Sequence, residues 1–157
     1  MREILPGILT WAWFSARHGY DFNGWLVRHP EGNLCIDPVE MPDDVLEEIS
    51  AGGVARVLLT NRNHFRASMR VKERTGARIA IHPADAGFAR QRVTAVDDEL
   101  RPGDRVGPFA VPAEDRVLAG NGLRHPVQCP CSRTRLAWPV RDDRARDGRD
   151  RGTVAGQ

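Results

Sequence analysis

Helix-like and strand-like patterns alternate between residues 42 and 82. Two short apolar runs, 57–59 and 79–81, each follow a segment that has helical spacing and ends in glycine. Parallel strands require long crossover connections, and a helix is the usual crossover. The alternation therefore predicts an α/β fold in which these two strands pair in parallel.

The helices of this unit are predicted from their ends. Pro42 and the two carboxylates after it are typical of a helix N-terminus, because Pro fits the first turn and negative charge is favoured there. We expect this helix to end at the glycine pair 52–53. A second helix is predicted over 65–75, and a short third one over 84–90.

The segment before residue 42 predicts antiparallel strands. Residues 8–14 form an apolar and aromatic run. Two further apolar runs, 25–27 and 34–36, flank a turn that contains Pro and Gly, which is a strong hairpin signal. A last strand is expected at 109–111.

Beyond about residue 112 the sequence shows no sustained helical or strand period. We therefore divide the chain into a domain over 1–112 and an irregular, disordered, Arg-rich tail over 113–157. His125, Cys129 and Cys131 in this tail are a weak zinc signal, because structural zinc sites normally take four donors. The Arg residues of the tail are interleaved with Asp, which argues against nucleic-acid binding.

Composition narrows the class of protein. A chain of 157 residues suits one domain, and a formal charge of +2 gives no argument for a nucleic-acid or membrane partner. No run approaches the roughly 20 apolar residues of a membrane span. The N-terminus lacks the apolar core of a signal peptide, and the three cysteines cannot all pair internally. We expect a cytoplasmic protein.

The polar loop after the run 57–59 is the candidate site. Within six residues it carries two amides, one imidazole and two guanidinium groups. In open α/β sheets, ligands bind at the carboxyl ends of strands, which is where this loop begins. The candidate binding residues are Asn61, Asn63, His64 and Arg66.

Several segments resemble the metallo-β-lactamase fold superfamily. Asn-Gly-Trp-Leu-Val at 23–27 resembles its early Asn-containing strand, and Gly-Asn-Leu-Cys-Ile-Asp-Pro at 32–38 resembles its strand that ends in Ile-Asp-Pro. Thr60 and the loop after it resemble the family's strand end and His-x-His-x-Asp-His loop. The resemblance covers roughly residues 8–112. It implies the N-terminal half of an αββα sandwich.

The resemblance does not extend to the family's metal ligands. Alignment on Thr60 places Asn61 and Asn63 at the first two His, Phe65 at the Asp and Arg66 at the last His. Catalytic zinc takes about three imidazole, thiolate or carboxylate donors, and a guanidinium repels a dication. We therefore expect no catalytic residues, no metal ligands and no cofactor, with zinc only where other donors have rebuilt the site.

Three functions remain open. The first is a metallo-hydrolase relative, degenerate or truncated, that is catalytically inactive. The second is an active metal-dependent hydrolase of an ester, thioester or lactam with a rebuilt site. The third is a non-catalytic module that binds a small anion through Arg66 and the loop amides.

The same loop also has a purely structural interpretation. In it, Asn61 and Asn63 cap the following helix, and His64 is solvated. His82 follows a strand at the same sheet edge and is a further candidate to face the site, whereas Asp37 is expected to cap the loop after it. Because half a sandwich leaves one sheet face without its usual partner, we also expect self-association or marginal stability.

Overall fold

The computed structural model describes residues 1–92 and 95–111, which are organised around one mixed sheet of seven strands. The strands lie side by side in chain order: β1 (Arg2–Leu5), β2 (Ile8–Ser15), β3 (Tyr20–Val27), β4 (Leu34–Ile36), β5 (Arg56–Leu59), β6 (Arg78–Ile81) and β7 (Asp98–Glu99). Strands β1 to β4 pair antiparallel, and β4 to β7 pair parallel. The predicted hairpin and the predicted parallel unit are both confirmed. The predicted tail 113–157, with His125, Cys129 and Cys131, lies outside the described residues.

Three helices make the crossovers between the parallel strands: α1 (Asp43–Ala51), α2 (Ser68–Thr75) and α3 (Pro83–Gln91). Helix α1 begins after Pro42 and ends at Gly52, as predicted. The predicted start of the second helix at residue 65 is wrong, because residues 61–64 and 65–68 form tight turns and α2 begins at Ser68. No helix in the part of the chain that the structure describes is long and apolar enough to cross a bilayer.

Strands β1 and β7 are absent from the sequence-based predictions. Both are edge strands with mostly exposed side chains, and β7 is a pair of acidic residues, so neither carries an apolar pattern. The predicted strand at 109–111 exists as β9 (Phe109–Ala110). It pairs with β8 (Arg105–Val106) in a separate two-stranded sheet rather than joining the main one.

Each face of the main sheet has its own apolar core. One face packs against the helices, and its centre includes Val57, Leu59, Ile79 and Ile81. On the other face, the segment 100–111 covers β4 to β6 and the end of β3: Leu100, Val106, Phe109 and Val111 pack on Val27, Leu34, Leu58 and Ala80. The chain therefore covers part of its own second sheet face.

The β2–β3 hairpin extends past the shorter strands beside it. Strand β4 ends at Ile36, which lies opposite Trp25, whereas residues 20–24 of β3 continue beyond that point, paired with β2. Because Ile36 also lies level with Leu58 of β5, the hairpin overhangs the carboxyl ends of β4 and β5. The candidate loop lies at this edge.

Candidate functional site

Asp37 joins the ends of two neighbouring strands. It directly follows β4 and has a positive φ of 45°, which Asp tolerates better than most residues. Its backbone amide donates a hydrogen bond to the carbonyl of Leu58 in β5 at 2.9 Å. The backbone conformation at Asp37 thus directs its carboxylate into the loop that follows β5.

The Asp37 carboxylate binds Thr60 and His64. Its Oδ1 accepts a hydrogen bond from the Thr60 amide at 2.8 Å, and its Oδ2 accepts one from the Thr60 hydroxyl. His64 Nδ1 lies 2.9 Å from the same Oδ2. Because an ionised carboxylate only accepts hydrogen bonds, Nδ1 carries the proton that faces Asp37, and Nε2 makes no hydrogen bond within residues 1–92 and 95–111.

This arrangement corrects two expectations. Asp37 caps the loop after β5, not the loop after its own strand. His64 is not simply solvated, because its side chain is 33% exposed and its ring is fixed by a carboxylate that is 15% exposed. Such a pair orients the imidazole so that Nε2 can accept a proton or a hydrogen bond.

Asn61 holds the loop in shape. It is 1% exposed, and its side-chain oxygen accepts a hydrogen bond from the Asn63 amide at 2.8 Å. Its carbonyl accepts another from the His64 amide at 2.9 Å. The expectation that these amides cap the next helix is wrong, since α2 begins after Ala67 without any side-chain cap. Asn63 itself is exposed.

Arg66 is a half-buried cation at the end of the loop. Its guanidinium carbon lies 4.1 Å from the centre of the Phe22 ring. Burial lowers the pKa of the Arg66 guanidinium, and the charge of the nearby Asp37 carboxylate opposes that shift. Within residues 1–92 and 95–111, no hydrogen-bond acceptor or ion-pair partner reaches its five N–H groups.

His82 does not join this cluster by a hydrogen bond. It caps the start of α3, where its Nδ1 accepts from the Ala84 amide at 3.2 Å. The predicted binding residues therefore separate into two kinds. His64 and Arg66 offer polar groups beside Asp37, whereas Asn61 shapes the backbone beneath them.

An aromatic cluster next to Arg66 is absent from the sequence-based predictions. It lies on one face of the β2–β3 hairpin, and we call Trp13, His18, Tyr20 and Phe22 the aromatic wall. The ring centres of Tyr20 and Phe22 are 5.0 Å apart, those of His18 and Phe22 are 5.3 Å apart, and those of Trp13 and Phe22 are 6.2 Å apart. Alternate residues of a strand share a face, so the spacing of Tyr20 and Phe22 is the signal that could have revealed it.

The donors of this loop do not fit a zinc centre of the kind that the resemblance implies. The amide oxygen of Asn61 is already bonded, Phe65 has no donor, and Arg66 is a cation. In the described ranges, no three His, Cys, Asp or Glu side chains converge to hold a metal ion. Cys35 is fully buried, and burial raises the pKa of its thiol, which disfavours the thiolate that a metal would need.

Comparisons of the chain with protein families and with curated proteins give different results. A family model of the metallo-beta-lactamase superfamily matches residues 2–107. A search of curated proteins finds no match.

Several solved structures have a similar fold. A beta-lactamase domain protein from Burkholderia ambifaria shares 18% identity, with 70% of this chain and 46% of that chain covered and a TM-score of 0.55. A metallo-beta-lactamase from Pontibacter korlensis shares 17% identity, with 69% and 56% covered and a TM-score of 0.55. TTHA1623, solved in a di-iron-bound form, shares 25% identity, with 57% and 54% covered and a TM-score of 0.46; the iron is a property of that protein.

The chain spans about half the length of these solved structures. The two with a TM-score of 0.55 support the observed α/β fold. The family match covers more than half of the chain and includes every strand of the main sheet. This chain therefore belongs to the metallo-beta-lactamase superfamily.

Proposed function

We propose that this protein is a metallo-beta-lactamase-fold relative without metal-dependent hydrolase activity, and that it binds a small anion where its relatives have their metal loop. The observation that carries the proposal is the half-buried Arg66 guanidinium, which has no acceptor among the described residues. Because the guanidinium is only half-buried, its N–H groups are within reach of a ligand. A bound anion would form charge-assisted hydrogen bonds with them without breaking any hydrogen bond among the described residues.

Asp37 does not satisfy Arg66 in place of a ligand. The carboxylate is close enough to affect the pKa of the guanidinium, but its two oxygens accept hydrogen bonds from Thr60 and His64. Arginine binds carboxylates and phosphates through pairs of parallel N–H groups, and those groups remain available here. The site therefore favours a small phosphate or carboxylate over a metal ion.

The proposal is tested by calorimetric titration of the full chain with methyl phosphate. We expect saturable binding by the unmodified protein and a loss of at least about tenfold in affinity for Arg66→Ala, because charge-assisted pairs are the strong ones. Arg62→Ala is the matched control. Arg62 is an exposed cation in the same loop, and it lies over Phe88 at 5.1 Å instead of beside Asp37.

Equal affinities in the two variants, or no saturable binding by the unmodified protein, would contradict the anion site.

Metal content by mass spectrometry, on protein never exposed to a chelator or metal resin, tests the proposed lack of metal-dependent hydrolase activity. We expect clearly less than one metal ion per chain. A stoichiometric metal would instead favour an active hydrolase with a rebuilt site.

A further inference from the structure

The aromatic wall stands directly over the proposed anion site. The register places Trp13 opposite Phe22 on the face of the hairpin that also packs against the helix-side core. The Arg66 guanidinium lies against the ring of Phe22. The cation and the wall are therefore parts of one continuous surface.

The outer part of this wall is open to solvent. Tyr20 is 55% exposed, and His18 is also exposed at the tip of the hairpin. His18 is fixed there by a contact of 2.8 Å between its Nδ1 and the Ser15 hydroxyl, and its ring centre lies 5.8 Å from that of Tyr20. Two ordered, exposed rings thus continue the wall outward from Arg66.

We infer that the anion bound at Arg66 carries a planar aromatic group, which stacks on Tyr20 and contacts the tilted ring of His18. This inference rests on the proposed anion site. Offset or edge-to-face contacts between rings contribute affinity beyond the area they bury, and exposed apolar patches on a monomer commonly mark a binding surface. The ligand class is a small aromatic phosphate ester or an aromatic carboxylate, since the guanidinium fork fits both head groups.

The aromatic wall also determines how the ligand is oriented. Trp13 and Phe22 lie deeper than Tyr20 and are packed against the core, so they form the base of the surface. The anion would meet Arg66 at this base, and its ring would point along the hairpin toward solvent. Ligands with a ring attached close to the charged group fit this geometry best.

The test compares matched pairs of ligands on the full chain by calorimetry: phenyl phosphate with methyl phosphate, and benzoate with acetate. We expect the aromatic member of at least one pair to bind about tenfold more tightly, as one favourable ring contact predicts. The pair with the larger ratio of aromatic to aliphatic affinity identifies the head group that the site prefers. Tyr20→Ala should reduce that ratio to near one.

Two variants separate ligand binding from hairpin stability. Tyr20→Leu keeps an apolar side chain but removes the ring, and it should also reduce the ratio. Phe14→Ala removes a similarly exposed ring, 61% accessible, from the opposite face of the same hairpin, and it should leave the ratio unchanged. Thermal unfolding of each variant shows whether it is folded.

The possible outcomes distinguish the anion site at Arg66 from the aromatic group proposed for its ligand. Equal binding of the aromatic and aliphatic members would overturn the aromatic ligand and leave the anion site intact. No binding of any of the four compounds would overturn both. A ratio that falls equally in Phe14→Ala and Tyr20→Ala would overturn the role of the wall, because the ring contacts would then act only through the hairpin.

Discussion

Single residues at the candidate site have distinct tasks. The positive φ of Asp37 places its carboxylate within hydrogen-bonding distance of Thr60 and His64. The side-chain oxygen of Asn61 accepts a hydrogen bond from the Asn63 amide within the turn. Arg66 is the one member of this group that makes no hydrogen bond in the described part of the chain. The loop thus holds one cation whose N–H groups are open to a ligand, which favours a site that is preformed.

The close contact between Gly24 and Trp11 predicts the effect of a single substitution. A Cβ atom at Gly24 would lie 2.3 Å from a ring atom of Trp11, whose Nε1 donates to the Val39 carbonyl at 3.3 Å. Gly24→Ala must therefore displace the indole, and we expect a loss of about 1–3 kcal/mol in the free energy of unfolding, measured by urea denaturation.

The control for this substitution is Gly87→Ala. Gly87 lies within α3, and a Cβ atom added there would meet no described atom within 4 Å outside the surrounding helix backbone, so alanine should stabilise the helix by up to about 1 kcal/mol. A Gly24→Ala protein as stable as the unmodified one would show that the hairpin tolerates movement of Trp11.

The sequence was sufficient to locate the loop after β5 but not to assign the structural roles of its residues. The apolar run of β5 and the polar residues after it predict a loop at a strand end, and the structure confirms that position. The Asp37–His64 pair depends on one backbone angle and on the register of β4 against β5, and neither leaves a periodic pattern in the sequence. The binding role of the four predicted residues stays a prediction.

At the scale of elements, ion pairs connect α2, β6 and β7 at the polar edge of the sheet. Asp97 accepts hydrogen bonds from the Lys72 ammonium and from the Ile79 amide, both at 2.7 Å. Next to it, Asp98 binds Arg78. Hydrogen bonding to Lys72, and then to the Ile79 amide, lowers the pKa of Asp97. These contacts hold a short, polar edge strand that has little apolar surface of its own.

The lowered pKa of Asp97 predicts how stability depends on pH. A carboxyl group whose pKa is lower in the folded state stabilises the fold above its unfolded pKa of about 3.9, and this contribution is lost as the pH falls through the folded pKa. Asp97→Asn should therefore cost about 1 kcal/mol or less at pH 7, because the pair is partly exposed. The cost should shrink toward zero as the pH falls below about 4.

Urea denaturation at a series of pH values measures this dependence. Asp21→Asn is the control, because Asp21 is exposed and its side chain makes no hydrogen bond or ion pair among the described residues. It should change stability little at any pH. A cost for Asp97→Asn that is the same at pH 7 and pH 3 would contradict the assigned role of its charge.

Elements with strong local signals could be predicted, and those stabilised by neighbours could not. Helix α1 has Pro42 before it and glycine after it, and its bounds agree with the prediction. The start of α2 is displaced because Phe65 accepts hydrogen bonds from Ser68 and turns the chain before the helix begins. Strands β1 and β7 form by pairing with existing edges, which sequence periodicity does not report.

At the scale of the whole molecule, the second sheet face is covered unevenly. The segment 100–111 packs over β4 to β6. Toward β2 and β3 the same face presents the half-buried Trp25 and the exposed ring of Phe14. The apolar surface on this side is therefore the expected place for an additional contact.

We therefore predict that the full chain self-associates through the β2–β3 part of this face, in a manner that depends on concentration. Trp25 is the best residue to test, because it is large and apolar and is paired with Thr10 of β2 on one side and Ile36 of β4 on the other. Sedimentation velocity should show the mean mass rising with protein concentration, and Trp25→Lys should shift the protein toward monomer by placing a charge in the contact. Gln91→Lys adds the same charge on the exposed end of α3 and should leave association unchanged. A protein that stays monomeric at every concentration and unfolds in one sharp, cooperative transition would show instead that this face needs no second copy.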